Sequence, residues 1–178
     1  QMRLTYADGT SEVVATDGSW LAAPGPITFS STYGGEDYDA TKEIPGWDKV
    51  HATGARDTQW AAAQVIDSPW GVLRPEVTPA VRIMHVYEPV KRTEPTPGVT
   101  VYDLGQNFAG WPEVRVKGAA GAVLKMTPGE LLNPDGTVSQ RSSGAGRRGS
   151  QWFSYTVGKS GDVEQWHPRF SYYGFRYV

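Results

Sequence analysis

The sequence predicts an all-β protein, an antiparallel β-sandwich or jelly roll preceded by part of a second β module. Three observations predict it. Alternation of apolar and polar residues runs through most of the chain, and helical periodicity is nearly absent. Seven Trp and nine Tyr stand beside 21 Gly and 13 Pro, a composition of aromatic strands separated by tight turns. In the second half, five alternating segments recur at intervals of about ten residues or somewhat more.

Taken in order, "RLTY" and "SEVVAT" flank "ADGT", so Arg3 to Thr16 reads as a β-hairpin. "DGSW" repeats the turn, and "PITFSSTY" continues as an extended run. "GGEDYDA" combines two glycines with three carboxylates. "EIPGW" and "DSPWG" are turn passages closed by tryptophan, and they bracket the extended "WAAAQVID". Proline at 75, 79, 89, 95 and 97 excludes a long helix and suits an edge strand or extended connector. The five clearer strands are "VTVYDL", "PEVRVKG", "AVLKMTP", "SQWFSYTV" and "SYYGFRYV", with turns at "KGAAG", "NPDGT" and "GKSGD". "SQRSSGAGRRGS" has almost no apolar content and predicts a mobile loop. A boundary falls between about Val72 and Thr78, giving a first module over residues 1–75 and a sandwich over 76–178. Both termini start or stop in strand-like sequence, so the chain reads as a piece of something longer.

The bulk numbers narrow the function. Seventeen basic against 19 acidic residues leave a net charge of −2, without the basic field that collects nucleic acid. No apolar run approaches the ~20 residues that span a bilayer, and no leader pattern opens the chain, so neither membrane nor nucleic acid is an expected partner. The absence of cysteine excludes thiolate metal sites and fits either side of a membrane. His51, His85 and His167 are too widely spaced to suggest a histidine zinc site, and His85 reads as a satisfied strand histidine.

Three passages are site-like. In "GGEDYDA", alternation puts Asp37 and Asp39 on one strand face and Glu36 on the other. A carboxylate pair on one face can hold Ca²⁺, a hard cation that takes oxygen ligands. The plainer reading, a glycine turn followed by an Asp that accepts backbone N–H groups, is preferred. In "VYDLGQNFAGWPEVRV", Gly105 and Gly110 permit positive φ, and Asp103 satisfies loose backbone groups at a bulge or corner. The alternative is a sugar site, with Gln106 and Asn107 presenting amides and Trp111 a stacking platform. The corner is preferred. In "PRFSYYGFRYV", Gly174 resets the alternation through a bulge, and Arg169 and Arg176 are candidates to pair with carboxylates such as Asp103. "NPDGT" is a β-turn, and Glu130 just before it is a candidate to face a neighbouring domain.

Together these motifs resemble a known family. "ADGTSEVVATDGSW", "GPITFSSTYGGEDYDA" and "PGW" are similar to the end of the N-terminal module of bacterial α-L-rhamnosidases, glycoside hydrolase family 78. "YDLGQNFAGWPEVRVKGAAG", "GELLNPDGT" and "PRFSYYGFRYV" resemble the concanavalin-like β-sandwich module that follows it. The resemblance implies a multidomain enzyme whose (α/α)6 barrel hydrolyses terminal α-L-rhamnosides with inversion, using one acid on the leaving oxygen and one to activate water. No run of amphipathic helices here can supply that barrel, so no catalytic residue is carried over. The expected role is architectural, with the catalytic and neighbouring domains as partners. The alternative is a module that binds rhamnose-containing glycans, with Ca²⁺ as the cofactor that some members use.

Overall fold

The computed structural model describes residues 1–49, 60–67, 71, 72, 74–143 and 150–178. "DSPWG" and the centre of "SQRSSGAGRRGS" lie outside the described residues in part, and His51 wholly. Apart from one 3-10 turn at Ala40–Lys42, every regular element among the described residues is a strand.

The chain forms two compact units, Gln1–Pro24 with Ile44–Val81, and Gly25–Glu43 with Arg82–Val178. In the first, β1 (Met2–Thr5) pairs antiparallel with β2 (Ser11–Val14). Asp8 turns the chain by accepting the Thr10 N–H at 2.9 Å, and Gly9 adopts φ +85°. A short ladder joins β3 (Leu21–Ala22) to β6 (Ala61–Ala62).

The second unit holds the core. Its four-stranded sheet runs β10 (Val123–Met126), β13 (Trp152–Thr156), β5 (Gly35–Asp39), β4 (Ile27–Ser31). A three-stranded sheet runs β15 (Tyr173–Tyr177), β8 (Val99–Gly110), β7 (Lys91–Thr96). Two ladders complete the unit: β9 (Val114–Lys117) with β14 (Val163–Trp166), and β11 (Leu131–Leu132) with β12 (Val138–Ser139). Alternation turns Phe153 and Tyr155 of β13 inward, where they meet Tyr38, Met126, Val157 and Trp166. Val114, Val116 and Tyr173 close over that cluster from the other sheets, so the layers pack face to face. Each such side chain stabilises the fold by about 1.5–3 kcal/mol through its burial.

All five strands expected in the second half are present as β8, β9, β10, β13 and β15. The proline-rich passage supplies β7, an edge strand whose register with β8 slips between Thr93 and Thr96, around Pro95. Two features go beyond the sequence reading. The pairing of β13 with β5 is parallel, whereas the other strand pairs among the described residues are antiparallel. Residues 25–43, assigned by the sequence reading to the first module, contribute β4 and β5 to the sheet of the second unit.

Candidate functional site

The passage that singles itself out in the sequence forms a corner in β8. Between its pairings with Tyr177 and Phe175 of β15, β8 advances five residues, Asp103 to Phe108, while β15 advances two. The surplus residues bulge out of the ladder. Gly105 sits there at φ +84°, a conformation that favours glycine, with a Val90 methyl 3.3 Å from where a Cβ would stand. Gly110 needs no positive φ. It is small because the Phe108 ring lies 3.0 Å from its would-be Cβ.

Asp103 braces the corner. Its Oδ1 accepts the Gly105 N–H at 2.8 Å, and Arg176 grips both oxygens, Nε to Oδ1 and Nη2 to Oδ2, each at 2.8 Å. The Arg176 guanidinium, helped by the Gly105 N–H, brings the Asp103 carboxyl down to about 2. Arg169 plays a different part: it meets a carboxylate through its backbone N–H, described below. The slip in β15 falls between Phe175 and Tyr177, just after Gly174. Gly174 instead leaves room for the Glu130 carboxylate, whose Oε1 lies 3.6 Å from its would-be Cβ.

The polar residues of the bulge face outward. Exposed Gln106 donates to the Tyr87 hydroxyl at 2.7 Å, and exposed Asn107 donates to Glu130 Oε1 at 2.8 Å. Asn107 lowers the Glu130 carboxyl below its ordinary range, with Ser142 adding to the effect. Tyr87 stacks on Phe108 at 4.5 Å. Trp111 is stacked on His167 with centroids 5.9 Å apart, so one ring face is already taken. The bulge therefore offers two amides and one carboxylate on an aromatic base.

The "GGEDYDA" strand separates its acids as alternation requires. Asp37 accepts the Ser154 hydroxyl at 2.6 Å. Asp39 caps the 3-10 turn by accepting from Thr41 N–H and Oγ1, and its second oxygen lies 3.6 Å from Lys42 Nζ. That cap is a repeated device: Asp8, Asp17 and Asp135 hold Thr10, Ser19 and Thr137 in the same way. Ca²⁺ takes six to eight oxygens. Among the described residues no group of three Asp, Glu or His side chains gathers for a metal, and both aspartates have partners to give up first. The pair fits the ion poorly.

Glu36 points the other way and is fully buried. Its carboxylate accepts the Arg169 N–H at 3.1 and 3.2 Å and the Phe170 N–H at 3.0 Å. Sequence reasoning placed Glu36 opposite Asp37 but had no signal for a partner 133 residues away.

A second polar cluster escaped the sequence reading. An open depression of about 320 Å³ is lined by Glu43, Tyr155, Lys159, Asp162 and Glu164 among others. Glu164 accepts from the Tyr155 hydroxyl and the Gly158 N–H at 2.9 Å, and from the Lys159 N–H at 2.8 Å. Burial opposes ionisation of Glu164, but the Gly158 N–H, the Tyr155 hydroxyl and the Lys159 N–H outweigh it and lower its carboxyl. Glu43 accepts from Tyr38 at 2.7 Å. Burial, then the Glu43 hydrogen bond, pushes the Tyr38 hydroxyl up to about 12, and burial with Glu164 raises that of Tyr155. Glu164 is thus kept ionised as an acceptor, the opposite of what a general acid needs.

Strands packed in layers around one buried cluster, with carboxylates bracing the turns and edges, make the described residues an all-β protein. The model of the alpha-L-rhamnosidase N-terminal domain matches residues 1–85, and that of the bacterial alpha-L-rhamnosidase concanavalin-like domain matches residues 93–178. The chain belongs to the bacterial α-L-rhamnosidase family. It is 40% identical over 180 residues to an alpha-L-rhamnosidase of Streptomyces avermitilis, covering 100% of this chain and 17% of that protein. With an alpha-L-rhamnosidase of Formosa agariphila it shares 32% over 178 residues, covering 99% and 18%. The crystal structure of the Streptomyces avermitilis alpha-L-rhamnosidase complexed with L-rhamnose superposes with a TM-score of 0.82 at 40% identity, over 99% of this chain and 16% of that one. That of alpha-L-rhamnosidase from Dictyoglumus thermophilum gives 0.81 at 36% identity, over 98% and 19%. The chain spans less than a fifth of the length of these relatives.

Proposed function

We propose that the chain is the non-catalytic β region of an enzyme that releases terminal α-L-rhamnose, with the two modules, residues 1–75 and 76–178, framing a catalytic domain outside these residues. The observation that carries this reading is the commitment of the carboxylates. Glu36, Asp103 and Glu164 each hold backbone N–H groups, and Asp37, Glu43 and Glu130 each accept from a side chain. Hydrolysis with inversion needs two carboxyl groups facing each other across the sugar, roughly 6.5–9.5 Å apart, one of them kept protonated. The coverage of under a fifth of the rhamnosidase relatives agrees with chemistry located elsewhere. Incubating the purified chain with an aryl α-L-rhamnoside tests the reading: no release of the phenol is expected. Turnover that disappears in Glu164→Gln or Asp39→Asn would overturn it.

A second reading is favoured by the exposed Gln106 and Asn107 amides beside Glu130: capture of rhamnose-containing glycans on the β8 corner. Sugar hydroxyls are matched by amides and carboxylates. Titration with L-rhamnose, with and without Ca²⁺, decides it. Shifts of the Gln106 and Asn107 side-chain amide signals support sugar capture; unchanged spectra remove it, and a Ca²⁺ requirement would restore Asp37 and Asp39 as ligands.

A further inference from the structure

The hairpin of β4 and β5 belongs by sequence to the stretch matched by the N-terminal domain, yet its contacts lie within the second unit. We propose that residues 25–43 are a donated hairpin, an obligate part of the concanavalin-like unit, and that the groove between the β13 edge and the Arg169–Phe170 backbone is built to receive this segment.

Four features carry the inference. The first is the ladder: all five residues of β5 pair in parallel with β13, from Trp152 opposite Gly35 to Thr156 opposite Asp39. Parallel strands need a long crossover, and here the crossover exceeds 100 residues and includes parts of both units. The second is Gly35. It takes φ +92°, and a Cβ there would stand 1.8 Å from the Trp152 carbonyl oxygen, so any side chain would prise β5 from β13. The third is Glu36, whose buried carboxylate supplies the acceptors for the Arg169 and Phe170 N–H groups. The fourth is Tyr38, stacked on Tyr155 at 5.8 Å and tilted against Trp166 at 5.9 Å, in the centre of the core. Outward-facing Asp37 adds its bond to Ser154.

Removing this segment would leave β13 as an open edge, strip one ring from the core and take the Glu36 acceptor from the Arg169 and Phe170 N–H groups. Such an edge is a template for wrong pairing. The consequence is that the two family domains are not independent folding units. A concanavalin-like domain cut at residue 93, or exchanged between relatives without its hairpin, lacks part of its own sheet. The inference concerns folding alone and stands or falls separately from the functional reading.

The test is hydrogen exchange on the intact chain, read by mass spectrometry. Amides of residues 35–39 are expected to exchange together with those of 123–126 and 152–157, within about threefold, as one cooperative unit. They are expected to be slower than those of 2–14 by about 100-fold or more, because β1 and β2 are exposed along nearly their whole length. Exchange of 35–39 in step with 2–14 would overturn the proposal. Gly35→Ala and the milder Ser154→Ala are then expected to speed exchange at 35–39, 152–157 and 169–171 together while leaving 2–14 unchanged. Loosening of 35–39 with 152–157 left as in the wild type would also overturn it. Asp8→Asn, confined to the β1–β2 turn, is expected to leave all the core segments untouched. If Gly35→Ala fails to accumulate, the wild-type pattern and Ser154→Ala decide.

Discussion

Truncating Glu36 to alanine removes a side-chain acceptor from two main-chain donors, and its cost follows from the geometry. The residue has 0% relative exposure, and its carboxylate lies 3.0–3.2 Å from the Arg169 and Phe170 nitrogens. Each of the two hydrogen bonds to this charged group is worth about 1.5–3 kcal/mol. Water entering the vacated space recovers part of this. The net loss for Glu36→Ala is about 3–5 kcal/mol, in line with breaking other buried charge contacts. For a chain of this length that is about 6–20 °C in melting temperature. Glu36→Gln keeps one carbonyl oxygen but turns an NH₂ group toward N–H donors, so a smaller loss of about 1–3 kcal/mol is expected. Urea unfolding followed by tryptophan fluorescence measures both, since Trp166 lies in the same core. A Glu36→Ala midpoint within error of the wild type, with unchanged slope, would refute the claim that this carboxylate ties β5 to the 169–170 loop.

Other outcomes follow from the same structure. Asp103 has its carboxyl lowered to about 2 by Arg176, below its unfolded value near 3.8. Its contribution is therefore complete above pH ~4 and is lost as pH falls toward 2; Asp103→Asn should flatten that acid limb in urea midpoints measured between pH 5 and pH 2.5. Tyr155→Phe removes one hydrogen bond to Glu164, which keeps its two backbone donors, and is expected to cost about 0.5–1.5 kcal/mol in the same assay. Gly129→Ala places a methyl 2.4 Å from Val138 Cγ1 and 2.5 Å from the Ser139 carbonyl, and overpacking of this kind costs about 1–3 kcal/mol. Millimolar CaCl₂ is expected to leave the melting temperature unchanged, because Asp37 and Asp39 are engaged by Ser154, Thr41 and Lys42; a rise abolished by Asp37→Asn would reverse that assignment.

The local elements could be read from residues close together in the chain. Strand alternation depends on neighbours two apart, and turn chemistry on an Asp that reaches the residue two positions on, so β1, β2, β8, β9, β10, β13 and β15 were legible. So were the Asp-x-Ser/Thr turns, in outline, and the corner at Asp103 and Gly105. The short strands β11, β12 and β14 were not: β11 and β12 are two residues each and pair only with one another across the Asp135–Gly136 turn, and β14 finds its partner in distant β9. It took the folded chain to reveal that Arg176 rather than Arg169 grips Asp103, that Asn107 meets Glu130 beside Gly174, and that residues 25–43 complete the sheet beside β13. The physical reason is that a β ladder is made of backbone groups every residue carries. Pairing between positions 117 residues apart leaves no periodic trace, and it is selected by the fit of a few side chains — a missing Cβ at Gly35, an acid at Glu36 and a ring at Tyr38 — once both surfaces are folded.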